Sequence, residues 1–176
     1  MAKKKSVPKS GHARMRPRAR LISLIGEELI SDESVAVVEL VKNAFDADAT
    51  KVVVEFTGEI PGDPDSLIIE DNGSGMSFDT VMNGWFEPGT ALKKRKDRSP
   101  GGRPYLGAKG IGRFAAARLA DSLYMQTRQR RKTEGVSVLL DWGKFDDESY
   151  LDDITIDYQV APIDGFDHGT LSLIHI

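Results

Sequence analysis

Residues 34–48, Ser-Val-Ala-Val-Val-Glu-Leu-Val-Lys-Asn-Ala-Phe-Asp-Ala-Asp, read as a helix that is apolar apart from one polar stripe. Glu39, Asn43 and Asp46 stand at i, i+4 and i+7, and at about 100° per residue they share a narrow face. Val37, Leu40, Val41, Ala44 and Phe45 cover the other side. A helix this apolar is mostly buried, and buried polar groups are costly without partners. The stripe therefore faces a water, a metal, a ligand or another side chain, unless it is only a solvated edge. The rest of the chain has to decide between these.

A chain of 176 residues suits one domain with a real core. It has no cysteine, which excludes disulfides, thiolate metal sites and cysteine nucleophiles. No apolar run is long enough to span a bilayer, so no membrane partner is expected. Met-Ala-Lys-Lys-Lys at the start is followed by no apolar core, so it is not a secretory signal, and the cytoplasm is the expected location. Residues 1–20 hold eight Lys and Arg and no acid, while the whole chain has net charge −3. This segment reads as a basic, disordered tail, interrupted by Pro8, Gly11 and Pro17. It is able to meet nucleic acid, although the acidic body of the chain argues against the domain itself being a nucleic-acid platform.

Residues 21–30 read as a short amphipathic helix, and Ser31-Asp32 as the cap of the helix that follows. Lys51–Thr57 and Ser66–Glu70 read as an antiparallel hairpin across a Pro/Gly-rich turn. Ser77 caps a short helix to about Trp85, and residues 86–106 form a long basic loop. A helix over Arg113–Ala120 is followed by strands at about 122–130, 136–142, 154–160 and 170–176. Helices grouped against such strands make an α+β two-layer sandwich, with a mixed, largely antiparallel sheet and helices on one face. The acidic runs Asp146-Asp147-Glu148 and Asp152-Asp153 read as solvated turns, and the three histidines are too scattered to ligate metal.

Two further stretches stand beside the helical stripe. Asp71-Asn-Gly73-Ser-Gly75-Met76 follows a strand, and by itself is also a common turn sequence. Gly107-Ala-Lys109-Gly110-Ile111-Gly112 opens a helix behind the basic loop. Closely spaced glycines let backbone N–H groups approach an anion, a helix N-terminus adds a favourable dipole, and Lys109 adds charge. A plain glycine-rich helix start is the alternative. Gly110-x-Gly112-x-x-Ala115 also fits a dinucleotide fingerprint, but that motif needs a strand directly before it, and here a loop precedes. Walker-loop spacing is absent.

In combination these stretches resemble the GHKL ATP-binding superfamily of gyrase B-type topoisomerases, heat-shock chaperones, histidine kinases, and MutL and MORC ATPases. Glu39-Leu-Val-Lys-Asn43-Ala-Phe-Asp-Ala-Asp-Ala49 resembles its N-box, residues 71–76 its first glycine box, and 107–112 its second. Gly169-Thr170 resembles the Gly-Thr that closes the pocket. The resemblance covers most of residues 21–176 and implies the Bergerat α/β sandwich. It implies ATP and Mg²⁺ as cofactors, with Asn43 holding the metal and Glu39 acting as the general base on the attacking water. Asp71 is implied to accept from the adenine amino group, with Gly73, Gly75 and Met76 around the base and Thr170 completing the polar contacts. Gly107, Lys109, Gly110, Ile111 and Gly112 are implied to cradle the phosphates, and residues 86–106 to form a lid that contributes Thr90. Asp46 belongs to the same pocket wall.

Glu39 favours hydrolysis over phosphotransfer, because histidine kinases need no water-activating Glu four residues before the Asn. The N-box looks most like those of bacterial chaperone-like or MORC-like ATPases. The expected function is a Mg-dependent, ATP-hydrolysing conformational switch. A kinase module acting on a partner His in trans and a non-hydrolysing nucleotide sensor are the alternatives. The resemblance further implies a second, C-terminal domain that this chain lacks, an ATP-dependent homodimer, and slow hydrolysis by the fragment alone.

Overall fold

Six strands form one sheet in the order β1-β2-β6-β3-β4-β5, with every pairing antiparallel. They are β1 (Val52–Thr57), β2 (Ser66–Asp71), β3 (Ser122–Arg128), β4 (Glu134–Asp141), β5 (Asp157–Pro162) and β6 (Gly169–His175). The helices are α1 (Leu21–Leu29), α2 (Glu33–Asp46), the single turn α3 (Phe78–Thr80) and α4 (Ala115–Leu119). This computed structural model describes residues 14–30, 32–58, 65–88, 98–107 and 114–176. The expected α+β sandwich is the observed architecture, with a sheet that is antiparallel throughout its described strands.

Alternation of side chains builds the core. In β3 the residues Leu123, Met125 and Thr127 point inward, and in β4 the residues Val136, Val138 and Leu140 do the same. Register lines these up across strands: Leu67, Ile174, Leu123 and Leu140 form one buried row. The helices cover that row. Ile22 of α1, Ala36 of α2, and Ala115, Ala116 and Leu119 of α4 join the same cluster. Alanines at Ala36, Ala115 and Ala116 suit helices that pack closely, and both α1 and α2 pack against α4. A second cluster sets Val81 on Met125, Val136 and Val138, with Met76 at its margin.

Four expectations change. Residues 77–85 are one α-turn, capped by Ser77 Oγ accepting from Thr80 N–H at 3.1 Å, that widens into a π-turn over Val81–Trp85. The wider turn lays Val81 and Met82 on the second cluster. The strand expected at 154–160 runs instead over Asp157–Pro162, because Leu151–Asp153 forms a 3₁₀ turn first. In α2 only Ala36, Ala44 and Asp46 are buried, and Val38 is 51% exposed, since α4 and the sheet cover one side only.

The fourth change concerns the basic tail. Residues 14–20 of it lie on the folded body. Ala19 is fully buried, its N–H donates to Ser149 O at 2.9 Å, and Leu151 N–H donates to Pro17 O at 3.0 Å. Arg16 pairs with Asp152 and Asp153, Arg20 pairs with Asp147, and Arg18 donates to Glu148 O. The guanidinium groups of Arg16 and Arg18 stack on the Tyr150 ring. The acidic runs expected as solvated turns therefore receive the chain's own arginines. Opposite charge and a small residue at Ala19 together explain the docking. Residues 1–13 lie outside the described part.

Candidate functional site

Asp71 ends β2, and its register partner on β6 is Thr170, which in turn faces Thr127 of β3. The three side chains form a polar row at one end of the helix-covered sheet face. Asp71 is 9% exposed, and its Oδ1 accepts from Gly73 N–H at 2.7 Å. Burial pushes the Asp71 carboxyl above the usual carboxylate range, while the Gly73 and Thr170 N–H groups pull it down.

Thr127 was not singled out by the sequence, yet it joins the row together. Its hydroxyl accepts from Met76 N–H at 2.9 Å, donates to Gly169 O at 3.0 Å and meets Thr170 Oγ1 at 3.1 Å. The only signal available in the sequence is a polar residue at an inward position of an alternating strand. Two glycines permit this packing. Gly75 has φ +64°, and a Cβ there would stand 2.1 Å from Arg128 O. Gly169 has φ +118°, and a Cβ would stand 1.9 Å from Asp71 O. Both are close backbone approaches that only glycine allows.

The C-terminal end of α2 reaches this row through Ala47, whose carbonyl accepts from Ser74 N–H at 2.7 Å. Asn72 ties the same corner, its Oδ1 accepting from Thr50 and Lys51 N–H, both at 2.8 Å. Asp46 is buried and binds the other flank: Oδ1 accepts from Leu106 N–H at 2.8 Å and Oδ2 from Gly107 N–H at 3.1 Å. So Asp46 joins α2 to the start of the second glycine stretch. Asn43 and Glu39 lie one and two turns back along α2 and are half-buried. Lys42 Nζ sits 2.6 Å from Glu39 Oε1. The Asn43 side chain has no hydrogen-bond partner among the described residues. Thr90, Lys109, Gly110, Ile111 and Gly112 lie outside the described residues.

The structure thus brings Asp71, Gly73, Gly75, Met76 and Thr170 to one end of the sheet, with Asp46 and Gly107 beside them. The family described as "Histidine kinase-, DNA gyrase B-, and HSP90-like ATPase" matches residues 30–170. The chain belongs to this GHKL family. ATP is the ligand class of a GHKL domain, and the family is one of ATPases. DNA mismatch repair protein MutL of Opitutus terrae is 34% identical over 119 residues, covering 66% of this chain and 18% of MutL. Chaperone protein HtpG of Streptomyces coelicolor is 30% identical over 138 residues, covering 66% of this chain and 22% of HtpG. HtpG of Salinispora arenicola is 26% identical over 178 residues, covering 89% and 26%. This GHKL chain spans about a fifth to a quarter of the length of those relatives. No helix among its described residues is long and apolar enough to cross a membrane.

Proposed function

We propose that this domain binds ATP with Mg²⁺ in the cytoplasm and hydrolyses it, acting as a nucleotide-driven conformational switch. The observation that carries the reading is the Asp71–Thr170–Thr127 row, buried at Asp71 and Thr127, beside Met76. Gly73 occupies Oδ1 of Asp71, so Oδ2 accepts from the adenine amino group. Gly75 and Met76 wall the base, and the Thr170 hydroxyl adds a polar contact. Gly107 begins the phosphate cradle, which Lys109, Gly110, Ile111 and Gly112 continue and to which Thr90 contributes from the lid.

The donor set leaves most of a hard cation's shell to phosphate oxygens and water. Asn43 offers an amide oxygen, yet no group of three or more His, Cys, Asp or Glu among the described residues forms a cage. That fits Mg²⁺ held by one Asn, with phosphate oxygens and water completing the shell. When bound, the ion would neutralise charge developing on the phosphates. Glu39 lies one helical turn from Asn43, and Lys42 engages its Oε1. Its Oε2 then accepts from the attacking water and orients it. A C-terminal second domain and ATP-dependent pairing of two copies complete the proposal. MutL and HtpG are named for mismatch repair and chaperoning, and a coupled process of that kind is the work proposed for the whole protein.

Calorimetric titration with ATP and Mg²⁺ tests the binding step, and heat of binding at millimolar nucleotide or below is expected. A folded chain that gives none at that concentration excludes the reading. Asp71→Asn places an N–H where the adenine amino group needs an acceptor, so binding should be lost with the fold intact. Glu39→Ala should retain binding and remove turnover, by roughly 10²–10⁴-fold for a general base.

A further inference from the structure

Residues 98–107 hold a compact turn that is pinned to the end of α2, and its centre is a residue with no assigned role. Asp48 sits in the left-handed region at φ +61°, two residues past the end of α2. Its carboxylate accepts from Ser99 Oγ at 2.5 Å and from Gly101 N–H at 2.7 Å. Ser99 is buried, and its Oγ also accepts from Arg103 N–H at 2.9 Å. Arg103 then reaches back to Ala49 O at 2.6 Å and lies 4.9 Å from the Phe45 ring centroid. Gly101 has no room for a side chain, since a Cβ would stand 2.5 Å from Asp48 Oδ1. Three residues past Arg103, Leu106 donates to Asp46, as does Gly107 after it.

We propose that Asp48 is a positioning residue for the nucleotide phosphates: through Ser99, Gly101 and Arg103 it fixes where Gly107 enters the cradle. This rests on the nucleotide reading above. The Asp71–Thr170 end of the pocket shares none of these bonds, so the clamp acts on one end of the ligand. The Ser99 hydroxyl, then the Gly101 N–H and the Arg103 charge, hold the Asp48 carboxyl below its usual range, as expected of an acceptor kept ionised by its partners.

The test compares ATP with adenosine. Asp48→Gly keeps the backbone conformation and deletes the carboxylate, which separates the clamp from backbone strain. ATP affinity should fall about tenfold, the scale of a residue acting without touching the ligand. Adenosine affinity should stay unchanged. Asp48→Asn tolerates the same φ and keeps one acceptor oxygen, so it should recover part of the ATP affinity. Hydrogen exchange at the amides of residues 99–107 should speed up in Asp48→Gly and slow again in Asp48→Asn. Equal loss for adenosine and ATP, or no loss for either, overturns the proposal. A wild-type chain that binds neither ligand overturns the nucleotide reading itself.

Discussion

Asp71 is a carboxylate in a place that disfavours its charge, and this has a pH consequence. Its native pKa is raised by burial, so the native state holds the proton more tightly than the unfolded chain. The stabilising contribution is full below the unfolded value of about 3.9 and is lost as pH rises through the raised native value. Asp71→Asn removes that dependence. Thermal melts from about pH 3 to about pH 7 should therefore show wild type losing stability relative to Asp71→Asn as pH rises. Parallel curves would contradict the raised pKa. Thr127→Val keeps the shape of a fully buried side chain but strands Met76 N–H. The expected cost is about 1–3 kcal/mol in urea denaturation, together with weaker ATP binding. Asp71 was legible because Asp-Asn-Gly-x-Gly-Met is a local string. Thr127 was not, because its role exists only once β3 lies beside β6.

Among elements, α2 was read almost to its ends from its 3.6-residue period and the Asp32 cap, whose side chain accepts from Val35 N–H at 3.0 Å. The degree of burial was overestimated, because apolar content says how much a helix is able to bury and not how much its neighbours cover. The docking of residues 16–20 was not legible for a related reason. A basic stretch with no apolar period has the signature of a solvated tail, and its partners lie about 130 residues away, at 146–153. Tyr150→Ala removes two stacked guanidinium contacts, each worth about 0.5–1 kcal/mol at an exposed site. Trypsin should then cleave after Arg18 and Arg20 faster than in wild type, and added salt should accelerate cleavage of wild type by screening the ion pairs. Unchanged cleavage in the variant would show that the backbone bonds alone hold the arm.

For the molecule as a whole, the sheet order places β6 at the centre, although it is the last strand in sequence. It pairs with β2 on one side and β3 on the other, and Ile174 is fully buried in the helix-covered row. Ile174→Ala should cost about 2–5 kcal/mol. Hydrogen exchange should be slowest in β2, β6 and β3 and fast in the edge strands β1 and β5; protection that is highest in β1 would contradict the order. The sequence by itself determined the class of fold, the existence of most elements and the family, because periodicity, caps and glycine strings are short-range signals. The tertiary structure decided which strand lies central, that Thr127 completes the Asp71–Thr170 row, that Asp46 and Asp48 hold the 98–107 turn, and that the arginine arm is docked. Each of these joins residues far apart in the chain, through strand register or a single buried acceptor. Such pairings leave no local pattern, since either partner alone reads as an ordinary polar residue.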